Sequence, residues 1–261
     1  MVHDRFFHPK FSFITVTYNA AKVLEDTIQS IVTQTYKNVE YIIIDGASTD
    51  GTMSIVNRYR NLIHTIVSEP DNGLYDAMNK GLQLATGDYV CFLNAGDCLH
   101  EDDTLHLMVR AINEAQTEHA DMELPDVIYG ETDIVDTEGH FIQMRRLSAP
   151  EHLTWKSFQQ GMLVCHQAFF AKRSLAEPYD LSYRFSADFD WCVRIMKKSH
   201  LLFNTHLTLI DYLQEGLTTQ NHRASMVERF RIMCHYYGVV PTVIHHFGFA
   251  LRIVIYKLKK H

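Results

Sequence analysis

The chain has 261 residues, 46% of them hydrophobic and 21% charged, with a formal net charge of −7. That composition excludes a disordered protein and leaves room for one large domain or two small ones. The negative balance excludes a general nucleic-acid binder, which needs basic surface to meet phosphate.

The first hundred residues alternate strand-like and helix-like segments. FSFITVTYN is rich in β-branched and aromatic residues and predicts a buried strand. Asn19 stands where it can cap the next helix, in which Leu24, Ile28, Ile31 and Val32 form one apolar stripe. VEYIIID predicts a second strand, apolar enough to be covered on both faces. After the turn GASTDGT, Ile55, Val56 and Tyr59 mark a second helix. HTIVSE predicts a third strand and EPDNG a turn. Met78, Leu82 and Ala85 mark a third helix, with Gly87 suited to its C-terminal cap. DYVCFLN predicts a fourth strand.

This alternation predicts an α/β fold: a Rossmann-like, mainly parallel sheet flanked by helices. Ligands bind beyond the carboxyl ends of such strands. Tyr18, Asn19, Asp45, Glu69 and Asp97 follow strand ends and are expected to meet at one crevice. Further on, Leu105, Met108, Val109 and Ile112 mark a helix, and DVIYGETDIVD with HFIQMRRL predicts a hairpin-like pair. DFDWCVRIMKKSH and SMVERFRIMCHYYG read as helices, and the tail from Pro241 as one more. The expected division is a domain over 1–220 and a helical appendage over 221–261.

Five cysteines without a CxxC pair suggest reduced thiols and a cytoplasmic protein. Sixteen histidines include no HExxH, residues 1–10 carry no apolar signal core, and no apolar run is long enough to span a membrane. After Glu228 there is no acidic side chain, while Arg229, Arg231, Arg252, Lys257, Lys259 and Lys260 follow. Val243, Phe247, Ala250, Val254 and Leu258 share one helical face, the pattern of either a packed helix or one lying on an anionic membrane.

GxGxxG, GxxxxGK[ST] and GxSxG are all missing, which counts against dinucleotide oxidoreductases, P-loop enzymes and α/β-hydrolases. Asp45 at a strand end caps a turn or accepts a hydrogen bond from a ribose or base. Asp97 is likewise either a turn residue or a ligand of a hard cation whose shell a diphosphate completes. His166 and Gln167 lie in an apolar stretch, buried in the core or beside a sugar. Asp71 and Asp76 either cap the third helix or border the donor sugar. Trp155 and Trp191 are core residues or sugar-stacking platforms.

ITVTYNAAKVLEDTIQSIVTQTYKNVEYIIIDGASTDGT resembles the opening of the family 2 glycosyltransferases, inverting enzymes with a GT-A fold. SEPDNGLYDAMNKGLQLATGDYVCFLNAGD, GMLVCHQAFF and YRFSADFDWCVRI continue the resemblance in order, closest to the bacterial branch that builds O-antigen and capsular polysaccharides. The resemblance implies a nucleotide site of Thr17, Tyr18, Asn19, Asp45, Asn79 and Lys80. It also implies Asp71, Asp76, His166 and Gln167 beside the sugars, Asp97 on a Mn²⁺ or Mg²⁺ ion, and Asp188 as catalytic base with Asp190 as rival. Asn94 and Gly96 stand where many relatives have acids, and Met78 where many have Arg.

The implied reaction moves a sugar from a nucleoside diphosphate sugar, a UDP-sugar foremost, to a hydroxyl of a glycan or polyprenyl-diphosphate-linked acceptor. The implied location is the cytoplasm or the inner face of the cell membrane. A nucleotidyltransferase and a catalytically weak sugar-nucleotide-binding protein are the alternatives.

Overall fold

A computed structural model describes residues 6–119, 122–214 and 222–248. The sheet grows outward from β1 (Phe11–Thr17), which is buried at every position. β2 (Val39–Asp45) and β4 (Tyr89–Phe92) flank β1 in parallel, and β3 (Thr65–Ser68) extends the sheet beside β2. Strands covered on both faces read as mostly apolar runs, as β1, β2 and β4 do. The crossover helices are α1 (Leu24–Val32), α2 (Thr52–Arg58) and α3 (Leu74–Leu84).

The second half adds β5 (Cys98–Leu99), α4 (Thr104–Glu118), β6 (Val127–Val135), β7 (Phe141–Met144), β8 (Phe169–Lys172), α5 (Ala187–Lys198), β9 (Leu202–Leu213) and α6 (His222–Tyr237). The sheet runs β3-β2-β1-β4-β8-β6-β9-β5, with β7 paired to β6 as the expected hairpin. β8 lies antiparallel to both β4 and β6, whereas β9 lies parallel to β6. The first half is therefore the expected parallel sheet and the second half is mixed. One hydrophobic core serves both halves and takes in Ile232 and Met233 of α6.

Three local expectations change. α1 begins at Leu24, not beside Asn19, whose left-handed backbone (φ 49°) turns its side chain toward the loop after β2. α3 ends at Leu84 with Ala85 as its cap. Gly87 instead lets the chain pass close to β1, where an added Cβ would lie 2.6 Å from the Lys10 carbonyl. A last helical segment runs over 239–248 (α7), starting before Pro241. Ala250, Arg252, Val254, Lys257, Leu258, Lys259 and Lys260 lie outside the described residues. Among the described residues no helix is long and apolar enough to cross a membrane.

At the edge of the sheet opposite the strand ends, Glu40 ties three segments together. It accepts hydrogen bonds from Lys10 Nζ (2.9 Å), Ser12 Oγ, and the backbone and side chain of Thr86 (2.7 and 2.6 Å). Burial pushes its pKa up, but the Ser12, Thr86 and Lys10 contacts outweigh burial and leave it at about 2. A depressed carboxylate pKa contributes stability above its unfolded value near 4.5 and loses it as pH falls toward 2. Glu40→Gln should cost roughly 2 kcal/mol at neutral pH. It should also flatten the acid limb of stability over that window, as read from urea melts at stepped pH.

Candidate active site

Two groups of side chains lie past the carboxyl ends of the strands, with the first turn of α3 between them. The first gathers around β1, β2 and β3. Asp45 is fully buried at the end of β2. Its carboxylate accepts from Ser48 N (3.0 Å), Ser48 Oγ and Ser68 Oγ (2.6 Å), so it fixes the loop beneath it as a turn cap does. Asn19 N donates to Ser48 Oγ (2.8 Å) and Asn19 Oδ1 accepts from Thr49 N (2.9 Å), which joins the loops after β1 and β2. Ala47 is also left-handed (φ 59°). Such backbone costs of order 1 kcal/mol or more and collects at functional sites.

Tyr18 lies between these loops with 65% of its surface exposed. A Cβ added to Gly46 would sit 2.5 Å from Asp71 Oδ2 and 3.4 Å from the Tyr18 ring. Tyr18, Gly46 and Asp71 thus line one wall, and a side chain at 46 would push the Asp71 carboxylate aside. The Thr17 hydroxyl is buried without a partner among the described residues. Lys80 pairs with Glu69 (2.8 Å), donates to the Pro70 carbonyl (3.0 Å) and lies 4.0 Å from Asp76. Asp71 accepts from Gly73 N (2.8 Å) and Asp76 from Asn72 N (2.9 Å), both shaping the turn into α3. Asn79 belongs to the scaffold: its amide exchanges two hydrogen bonds with the backbone of Tyr179 (2.7 and 3.0 Å). Met78 is buried in the core.

The second group centres on Asp97. The chain leaves β4 through a turn closed by Asp97 N on the Asn94 carbonyl (3.0 Å). Gly96 is left-handed (φ 104°), and a Cβ there would lie 2.9 Å from Leu213 Cδ2. The backbone strains any side chain at 96, an acid included, and Leu213 would have to turn aside for it. Asp97 is buried, with Oδ2 accepting from Gln167 Nε2 (2.7 Å) and Oδ1 from Leu213 N (3.1 Å). Burial pushes its pKa up to about 7, although both hydrogen bonds favour the ionised form. Asn94 Oδ1 is buried in the same turn without a partner among the described residues. A carboxylate oxygen keeps a second lone pair after one hydrogen bond, so Asp97 and Asn94 offer hard oxygen donors of the kind Mg²⁺ and Mn²⁺ take.

Gln167 therefore contacts a carboxylate, and its neighbour His166 faces another. His166 Nδ1 lies 3.6 Å from Asp188 Oδ2, and the Tyr75 hydroxyl donates to Asp188 Oδ1 (3.0 Å). Asp188 lies in the first turn of α5, after the N-cap Ser186. Its rival Asp190 is committed elsewhere, with one oxygen on Arg194 Nε (2.7 Å) and the other on the Tyr236 hydroxyl (2.7 Å). Trp191 is wholly buried and stacks on Tyr179. Trp155 stacks on Tyr237, with Lys197 Nζ 5.3 Å from the ring centroid. Motif reading passes over Tyr75, which looks like an apolar helix residue between Asp71 and Asp76. It also passes over His100, Asp133 and Asp211, whose ligand atoms lie within 4.8 Å of one another. Strand pairing opposes Asp133 and Asp211, a juxtaposition with no trace in local spacing.

Residues 12–179 match the profile described as Glycosyl transferase family 2. The chain belongs to this family. A PGL/p-HBAD biosynthesis glycosyltransferase of Mycobacterium tuberculosis is 35% identical over 218 residues, covering 80% of this chain and 78% of the relative. A putative teichuronic acid biosynthesis glycosyltransferase of Bacillus subtilis is 40% identical over 97 residues, 36% of this chain and 38% of that one. Among solved structures, residues 1–349 of S. aureus TarS in complex with UDP-GlcNAc align with TM-score 0.67 at 17% identity, covering 92% of this chain and 73% of that one. A mannosyltransferase of Pyrobaculum calidifontis in complex with GDP-Man and Mn²⁺ aligns with TM-score 0.58 at 17% identity, covering 94% and 76%. The fold is GT-A, and this family 2 member is a glycosyltransferase.

The two acids of α5 differ in a way stability can read. Asp190→Ala leaves Arg194 and Tyr236 without their carboxylate and should cost about 3 kcal/mol. Asp188→Asn keeps an oxygen for the Tyr75 hydroxyl and breaks no arginine pair, so it should change stability by less than about 1 kcal/mol in the same urea titration.

Proposed function

We propose that this family 2 glycosyltransferase moves a sugar, with inversion, from a nucleoside diphosphate sugar to a hydroxyl of a glycan or lipid-linked acceptor in cell-envelope polysaccharide synthesis. A UDP-sugar is the leading donor class, in keeping with the UDP-GlcNAc complex of the TarS neighbour. The relatives' names, PGL/p-HBAD and teichuronic acid biosynthesis, support a surface glycan as product. The observation that carries the reading is Asp188. It is the one acid of the SADFD segment not committed to an ion pair with arginine, and the turn His166–Ala168 links it to Asp97.

In this reading the exposed Tyr18 ring stacks on the nucleotide base. Asp45 acts from beneath by fixing the loops after β1 and β2. Asp71 and Asp76 border the donor from the turn into α3. Asp97 and Asn94 hold the divalent cation, Mn²⁺ or Mg²⁺, which when bound neutralises charge on the diphosphate. Asp188 takes the proton of the acceptor hydroxyl as its oxygen bonds to the anomeric carbon. The bond from that carbon to the diphosphate breaks on the opposite face, and the configuration inverts.

Asp188→Asn should lower turnover by about 100-fold or more while the donor still raises the melting temperature as in wild type. Comparable turnover in the variant overturns the assignment. A thermal-shift screen of sugar nucleotides with and without Mn²⁺ identifies the donor, because a ligand bound only to the native state raises stability.

A lipid-carried acceptor also gives α7 a role. Val239, Val240, Ile244 and Phe247 expose apolar side chains, and the chain after Glu228 is basic without a carboxylate. This face rests on the anionic inner surface of the cell membrane. Ile244→Asp with Phe247→Asp should abolish co-sedimentation with anionic vesicles and leave donor binding intact. Unchanged sedimentation overturns the membrane contact.

A further inference from the structure

Arg229 is half-buried on α6. The sequence groups it with the basic tail, but the helix turns it inward. Ser225 and Met233, one helical turn before and after it, are both buried, Ser225 against Ser186 at the start of α5 and Met233 in the core. Its neighbour Glu228 accepts from the backbone N–H groups of Arg184 and Phe185 instead. The guanidinium carbon of Arg229 lies 5.4 Å from the centre of the ring of Phe189, the residue after Asp188. That ring attracts the charge but offers no lone pair to an N–H group. Among the described residues Arg229 Nε is buried without a hydrogen-bond partner, and no carboxylate pairs with the group.

An N–H turned from water without an acceptor costs stability, and arginine is rarely buried unless paired. Other arginines of this region keep to that rule. Arg194 is held by Asp190, and Arg145 by the carbonyls of Leu147, Met162 and Leu163. Arg229 departs from it beside the proposed base, and such departures collect where a ligand completes the set.

Its position selects the substrate that brings the anion. The charge of Arg229 reaches Tyr75, whose hydroxyl donates to Asp188 Oδ1. On the Oδ2 side, His166 leads toward Asp97. There Arg145 is the cation that acts on His166, and among the described residues none acts on Asp97. Arg229 therefore stands across Asp188 from the proposed cation and the donor diphosphate. α6 runs on from it to α7, the proposed membrane contact. A phosphate on a carrier lipid enters from that surface.

We propose that Arg229 binds a phosphate of the acceptor, and that this phosphate sits on the accepting sugar itself. The flat guanidinium offers Nε–H and a terminal N–H as a fork for two phosphate oxygens. Because Arg229 lies beside Phe189 and Tyr75, the phosphate is held close to the hydroxyl that gives its proton to Asp188. A neutral glycan, or one whose phosphate lies far along the chain, leaves the fork empty. This contact rests on the reading of Asp188 as base, and it narrows the acceptor to a phosphate-bearing sugar such as one carried on a lipid diphosphate.

The first test reads the contact without turnover, by ¹H–¹⁵N NMR of the full chain labelled at arginine. The Arg229 Nε–H resonance is assigned by its loss in Arg229→Lys. The donor site is filled beforehand with Mg²⁺ and the nucleoside diphosphate of the donor found in the thermal screen. Added inorganic phosphate should then move the Arg229 resonance to a saturating shift. A resonance that stays in place, or that moves without saturating, overturns the proposal.

Kinetics supply the second arm, with acceptors made in pairs, each sugar as its prenyl diphosphate and as its O-prenyl glycoside. Wild type should use the diphosphate member with a KM about 10- to 100-fold lower. Arg229→Gln should erase that difference with the donor KM within about 2-fold of wild type. A preference that survives in Arg229→Gln, or a rise in the donor KM in place of the acceptor KM, overturns the proposal. Asp188→Asn keeps the two readings apart. Activity there removes the base assignment, while the Arg229 resonance reports the phosphate contact on its own.

Discussion

A carboxylate buried at a strand end holds the architecture of the site together. Asp97 closes the turn after β4, accepts from Gln167 in the turn that leads into β8, and accepts from the last backbone N–H of β9. Burying a carboxylate is costly unless hydrogen bonds replace its water, and here two N–H donors do so. Three segments distant in sequence are thus set in register by one side chain. The cost shows in its affinity for protons, raised to about 7. A cation at this place and the proton are alternative partners for the same charge.

From that junction the site divides by function. The loops after β1 and β2 are locked to each other by Asn19, Ser48 and Asp45, and they leave one aromatic face open at Tyr18. On the other side the turn His166–Ala168 places Gln167 on Asp97 and His166 beside Asp188. A shift of this turn moves the contacts of both carboxylates together. Rigidity here matters because catalysis depends on groups held in place before the reaction.

Much of the first half was legible in the sequence because its strands are mostly apolar and its helices carry one stripe. The four parallel strands, their order along the chain and the acids at their ends all read correctly. The second half was less legible for physical reasons. β8 is four residues long, and β9 has no strict alternation, with a left-handed break at His206. Neither gives a clear period, yet together they build the mixed part of the sheet. At the site, the sequence offered Asp97 as either turn residue or ligand, and the structure has it closing a turn with lone pairs to spare. Asn79 and Gln167 looked like ligand-facing amides, but their partners, Tyr179 and Asp97, are 100 and 70 residues away. Such pairings are set by tertiary packing and leave no local pattern. Tyr75 was hidden because a tyrosine on a helix face reads first as core.

The glycine at 96 has an evolutionary consequence. Its backbone (φ 104°) is one that L side chains rarely adopt. A codon change that placed an acid there would load strain onto the very turn that holds Asp97, and the tip of Leu213 would have to turn aside. A second carboxylate would thus arrive at the expense of the first one's support, which tends to keep a chain of this kind on its own branch.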